Sequence, residues 1–192
     1  MNMQRLICTA GAAMLCLTAC GTAEESSMPT MDGEMTMTAA EDFDPAYGDC
    51  LKRYFEAMEQ KDFYAYKAVV YPPYLDAYSA YLAKNDSTLE QAFSSLCTRF
   101  DEDGYESWHV TELQLSYYAG EDEPLEAFFE AYTGSDVFDD DFVAACYEQA
   151  TDMQDVVFTV YALYSGDDAA VPVVTNGEIL MLKTDDGTFL FG

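Results

Sequence analysis

The chain has 192 residues, with 36 Asp or Glu against 8 Lys or Arg, a formal net charge of −28 and a single histidine. Such a surplus of carboxylates repels phosphate backbones and anionic headgroups, so nucleic acid is excluded as a partner and charge cannot hold the chain to a membrane. Half of the residues are hydrophobic and 15% are aromatic, enough for one sizeable core.

Met1 to Arg5 carries one charge, and Leu6 to Ala19, LICTAGAAMLCLTA, carries none. A membrane-spanning helix needs roughly 20 apolar residues, so this run matches the core of a secretory signal instead. It ends in Leu17-Thr18-Ala19-Cys20, which resembles the lipobox of bacterial lipoproteins: an apolar residue, two small ones, then the cysteine whose thiolate takes a diacylglyceryl group. The resemblance implies that residues 1–19 are a removed signal peptide and that Cys20 is the lipid-attachment residue. Two acyl chains make a lasting membrane anchor where one is marginal. An ordinary cleaved signal with a chance cysteine is the competing reading. The implied location is the extracytoplasmic side of a bacterial cell envelope. Gly21 replaces the Asp that marks inner-membrane retention, a pointer outward where a second membrane exists.

Without residues 1–19, only Arg5 is lost among charged groups, leaving 7 basic against 36 acidic residues, formally −29. Residues 20–42 have few large apolar side chains except methionine and no period of 3.6 or 2. They read as a disordered, acidic tether, whose roughly 22 flexible residues span about 25 Å. Met28, Met31, Met35 and Met37 are soft thioethers of the kind that hold Cu(I), but no Cys or His accompanies them, and a plain tether is the default.

Residues 43–192 have the length of one domain. Phe43, Tyr47, Leu51, Tyr54, Phe55 and Met58 recur at helical spacing. Lys61-Asp62 breaks that helix, a short second one runs toward Val70, and Pro72-Pro73 imposes a corner. Tyr74, Tyr78, Tyr81 and Leu82 form a third stripe. Ser87-Thr88-Leu89-Glu90 matches a capping box and opens a fourth helix, with Leu89, Phe93, Leu96 and Phe100 inward.

After a turn at residues 101–104, Thr111, Leu113, Leu115 and Tyr117 alternate as in a half-buried strand. Pro124 suits the first turn of a helix carrying Leu125, Phe128, Phe129 and Tyr132. Asp139 to Asp141 suits the start of another, carrying Phe142, Val143, Cys146 and Tyr147. Four β-prone runs close the chain: Val156–Tyr164, Val171–Thr175, Ile179–Lys183 and Phe189–Phe191. Asn176-Gly177 and Asp186-Gly187 fit tight hairpins between them.

Helices holding DPAYGDCLKRYFEAMEQKDFYAY, then a strand, then VPVVTNGEILMLKTDDGTFLFG resemble the nuclear transport factor 2-like (cystatin-like) superfamily in element order. The resemblance covers residues 43–192. It implies an α+β fold in which N-terminal helices pack on a curved antiparallel sheet ending in a four-strand meander, around a cone-shaped cleft. Two helices between the first strand and the meander exceed the family's usual single insertion.

Any Ser-His or Cys-His chemistry must use His109, which stands beside Trp108 at a strand start with no nucleophile motif near it; a structural histidine is the plainer reading. Cys50, Cys97 and Cys146 fall at or beside apolar helix positions and read as buried small hydrophobes. One disulfide among them, with three pairings open and a thiol left over, is the alternative. Residues 101–106, DEDGYE, place Asp at positions 1 and 3 but lack the Gly at position 6 and the Glu at position 12 of a calcium loop, and Asp139–Asp141 and Asp185-Asp186 read as a helix start and a hairpin tip. No catalytic residue, cofactor or metal site is assigned. The expected function is a lipid-anchored, non-enzymatic binding or interaction module whose partner is a small molecule or an envelope protein. The alternative is a small isomerase-type cleft enzyme acting on an apolar molecule, pairing a Tyr hydroxyl with a carboxylate. A cleft filled by Phe and Tyr favours the binder, and one with a buried carboxylate facing a Tyr favours the enzyme.

Overall fold

The computed structural model describes residues 29–119 and 137–191. The signal segment, Cys20, Met28 and the helix expected over Leu125 to Tyr132 lie outside them. Helix α1, Pro45–Glu59, begins with proline at its first position, and the Asp44 carboxylate accepts from the Ala46 N–H at 2.9 Å. Its apolar stripe forms the spine of the core: Tyr47, Leu51, Tyr54, Phe55 and Met58 are all buried. The chain reverses at Lys61, with φ +54°, and Asp62 caps α2, Phe63–Val69, through the Tyr64 and Ala65 N–H groups. Helix α3, Pro72–Lys84, takes both prolines into its first turn.

Helix α4, Leu89–Cys97, has a capping box one residue later than the sequence motif suggests. Thr88 Oγ1 accepts from the Gln91 N–H, and Gln91 Oε1 accepts from the Thr88 N–H, so Gln91 fills the role expected of Glu90. An amide side chain closes the box as well as a carboxylate does. Helix α5, Asp140–Gln149, is capped by Asp139; Cys146 is fully buried, while Tyr147 is exposed.

Five strands form one sheet in the order β1-β2-β3-β4-β5: Thr36–Ala39, Trp108–Tyr117, Asp152–Tyr164, Val171–Thr184 and Gly187–Leu190. Strands β2 to β5 are an antiparallel meander, and the sheet curls into a half-barrel, so the fold is α+β with helices packed on a curved sheet. Two details differ from the expected arrangement. Val171–Thr175 and Ile179–Lys183 are one strand, because β3 runs on beside them and Asn176-Gly177 makes a bulge rather than a hairpin. Asn176 takes φ +52°, and Gly177 lies against Phe158, where a Cβ would come within 2.7 Å of the ring. The hairpin at Asp186-Gly187 does form, with φ +147° at Gly187.

The second difference is β1, inside the stretch expected to be a disordered tether. It pairs parallel to β2, with Thr36 opposite Glu112 and Ala39 opposite Leu115. All four of its side chains are exposed, so no apolar alternation betrays it; backbone pairing and the Thr36 hydroxyl, donating to the Thr111 carbonyl at 3.0 Å, hold it. Met35, just before it, is buried in the core, which takes one thioether out of the supposed soft-metal cluster.

Residues on β3 sort onto two faces. Asp152 and Phe158 meet Tyr47 and Phe55 of α1, so Met153, Asp155 and Val157 face the other way. That second side is covered near β4 and β5. Leu180 and Leu182 are wholly buried there, Phe189 meets Tyr71 at the start of α3, and Tyr71 donates to Gln149 of α5. Val70 bridges Leu190, closing the β5 edge and leaving β1 as the other end of the sheet.

Candidate ligand cavity

Between α1 and the sheet, where a cleft was expected, aromatic side chains fill the space. Phe55 lies 6.2 Å from Phe100 and 5.9 Å from Phe158, and Phe43 stacks on Tyr117 at 4.8 Å. A Tyr–carboxylate pair does exist there. The Tyr47 hydroxyl donates to Asp152 Oδ2 at 2.8 Å, Gln154 donates to Asp152 Oδ1, and Lys183 sits 4.8 Å above the Tyr47 ring while donating to Asp44. The same hydrogen bond that binds Lys183 holds the Asp44 carboxyl below its ordinary range. Burial first, and then Asp152, push the Tyr47 phenol far up, so it stays protonated. Tyr47 has no exposed surface and Asp152 is half-buried, and with Lys183 the pair locks α1 to β3 and β4.

His109 is buried, and its Nδ1 lies 2.8 Å from Glu59 Oε1, while Glu59 Oε2 accepts from the Val110 N–H at 3.3 Å. The opposite Nε2 is buried with no hydrogen-bond partner among the described residues. This is a clamp between the end of α1 and the start of β2. Trp108 beside it donates from Nε1 to Asp101 at 3.0 Å, so one carboxylate of the DEDG turn braces the strand. Cys50, Cys97 and Cys146 are free and buried, and burial pushes the thiols of Cys50 and Cys146 up to about 12, the reverse of an activated nucleophile. Among the described residues, no three His, Cys, Asp or Glu side chains converge as a metal site, and no helix is long and apolar enough to cross a membrane.

The hollow with binding character lies among the helices themselves. Four of them contribute: Tyr54 from α1, Tyr66 from α2, Tyr78 from α3, and Ala92, Phe93 and Leu96 from α4. Ser95 and Arg99 complete its lining, and the cavity measures about 290 Å³. The walls are held rigid by ring contacts: Tyr66 meets Phe93 at 4.7 Å and Tyr54 at 5.9 Å, and Phe63 backs both Tyr66 and Phe93. Burial pushes the Tyr66 phenol up to about 12, so it remains a neutral donor. Arg99 is placed by the turn that ends α4, its N–H bonding to the Leu96 carbonyl at 3.1 Å. Tyr54, Tyr78, Phe93 and Leu96 were each expected on an apolar stripe of their own helix, Tyr66 falls within the short second helix expected toward Val70, and Ala92 was not singled out. That the stripes converge on a cavity could not be read from any one of them.

A second hollow, about 500 Å³ and more open, lies across β1, β2 and β3, lined by Thr38 to Ala40, Gln114 to Ser116, Val157 to Thr159 and Asn176. It has no ionisable group and one aromatic side chain, Phe158. Comparison with family models, with curated proteins and with solved structures finds no match, so the functional reading rests on this geometry and on the sequence.

Proposed function

We propose that the protein is a lipid-anchored, extracytoplasmic binding module of a bacterial envelope, tethered through Cys20 and holding a small molecule in the cavity between α1 and α4. The observation that carries the binding half is that cavity: four helices supply a rigid aromatic lining with polar groups at its rim, the usual composition of a small-ligand site. The α1–sheet space favours the same reading, since aromatic side chains fill it and the Tyr47 ring of its Tyr47–Asp152 pair is fully buried. The anchoring half rests on Leu17-Thr18-Ala19-Cys20 and on a charge of −28, which leaves acyl chains as the means of holding a membrane. The resemblance to nuclear transport factor 2-like proteins is compatible with helices on a curved sheet, although here the hollow lies within the helical layer.

Two measurements test the two halves separately. Intact mass of the membrane-extracted protein should fit a chain starting at a diacylated Cys20, and Cys20→Ala should abolish that species. An unmodified mass in the soluble fraction sinks the anchor. Saturation-transfer NMR with small aromatic fragments should give contacts that Ala92→Phe removes by filling the cavity; contacts that persist in the variant sink the binding site.

A further inference from the structure

The cavity's polar groups and the distribution of charge around it define the chemistry it selects. We propose, building on the reading of this cavity as a ligand site, that it is selective for a small planar carboxylate, with its ring among Tyr54, Tyr66 and Phe93 and its carboxylate at Arg99.

The size suits one ring with a short substituent: about 290 Å³ stands at the lower limit of ligand pockets. The polar complement is rich in donors. Arg99 has five N–H donors and no acceptor, and its planar fork matches a carboxylate with two parallel hydrogen bonds. Ser95 donates its hydroxyl proton to the Gln91 carbonyl at 3.1 Å and so adds no donor to this set. The Tyr66 phenol is neutral and has no hydrogen bond among the described residues. A ligand made of acceptors satisfies this set, whereas an ammonium would face the guanidinium.

Arg99 is also unspent. The ion pairs among the described residues are Lys52–Glu34 and Lys183–Asp44, with a hydrogen-bonding contact between His109 and Glu59, and none involves it. The wider field agrees. Residues 45–99 hold Lys52, Arg53, Lys61, Lys67, Lys84 and Arg99 against seven carboxylates, formally −1 in a chain of −28. Lys67 lies 4.9 Å above the ring of Phe63, which backs the cavity wall. The helices that line the cavity thus repel an anion less than the net charge of −28 suggests, with Asp101, Glu102 and Asp103 following Arg99 in the chain, and at physiological salt a Debye length of about 8 Å screens the distant carboxylates.

Titration calorimetry of the full-length chain with benzoate, benzyl alcohol and benzylamine separates the outcomes. Benzoate should bind at least tenfold more tightly than benzyl alcohol, with benzylamine weakest. Arg99→Gln should bring benzoate down to the level of benzyl alcohol, and Arg99→Lys should restore part of the difference. Ala92→Phe, or Ser95→Phe at the rim should the first fail to fold, should remove all three. Equal binding of benzoate and benzyl alcohol, or no change in Arg99→Gln, overturns the carboxylate preference while the cavity still binds. Absence of binding by all three probes, or binding that survives both filling variants, overturns the cavity as a site and the preference with it.

Discussion

Residues 45–99 carry six of the eight basic side chains and seven carboxylates, whereas residues 100–192 carry 22 carboxylates and one cation, Lys183. The first region is four helices joined by aromatic contacts, and the second is most of the sheet with α5. The formal charge of −28 therefore describes the second region and misdescribes the first. In the helical layer, Arg99 stands beside a hollow and outside the ion pairs among the described residues. In the sheet, the lone cation is engaged twice, by Asp44 and by the Tyr47 ring, while Asp155 keeps a buried Oδ1 without a hydrogen bond among the described residues. Burial, and then Glu178, raise the Asp155 carboxyl above its ordinary range. One region holds a hollow lined by four helices, and the other holds a buried, raised carboxylate.

Breaking the aromatic layer is the largest test of that contrast. Phe93→Ala removes a buried ring that touches Tyr66 and Phe63, and should cost about 3–5 kcal/mol in urea unfolding, with an unchanged denaturant slope. A loss under 1 kcal/mol would mean that the helical layer is loosely packed. Next comes the bulge. Gly177→Ala places a Cβ against Phe158 and Val174 and should cost about 1–3 kcal/mol, because Phe158 is backed by Phe55 and cannot withdraw freely.

The two aspartates sharpen the comparison through opposite pH signs. Asp155 has a raised folded pKa, so its favourable contribution is complete below the unfolded value near 4 and is lost as pH rises through the folded value. Asp155→Asn should therefore raise stability by about 1 kcal/mol at pH 7, and the gain over wild type should vanish below about pH 4. Asp44 has a lowered folded pKa, so its contribution is present above the unfolded value and disappears as pH falls through the folded one. Lys183→Met should cost up to about 1 kcal/mol at pH 7, since the pair is partly solvated, and the difference should shrink in acid and in 0.5 M salt. Thermal melts from pH 3 to 8 measure both, and curves of the same sign would contradict the assignment.

Much of the helical region was legible because period 3.6 is a local signal. The stripe from Tyr47 to Met58 is buried as the spacing requires, the break at Lys61-Asp62 does separate two helices, and the acidic run from Asp139 marks a true helix start. The sheet was less so. Asn176-Gly177 has hairpin chemistry, but a long β3 alongside converts it into a bulge, a tertiary effect invisible in a dipeptide. Strand β1 has no apolar face to announce it. The Glu59–His109 contact joins residues 50 apart, and the cavity takes a wall from each of four helices, so neither has a local signature. The capping box shows the limit of motif matching at one residue's precision, since Thr88-Gln91 and Ser87-Glu90 satisfy the same chemistry on paper.

Strand β1 also sets an order of events in time. It is the first element of the sheet in the chain, yet its partner residues stand some distance on, Thr36 opposite Glu112 and Ala39 opposite Leu115. A chain delivered N terminus first must present TMTA long before there is a strand to receive it, and loop closure over that span is slow compared with forming α1 to α4. A hydrophobic strand kept waiting in that way invites aggregation. Three of the four side chains here are threonine or alanine, which water tolerates, so the segment that docks late is also one that can afford to wait.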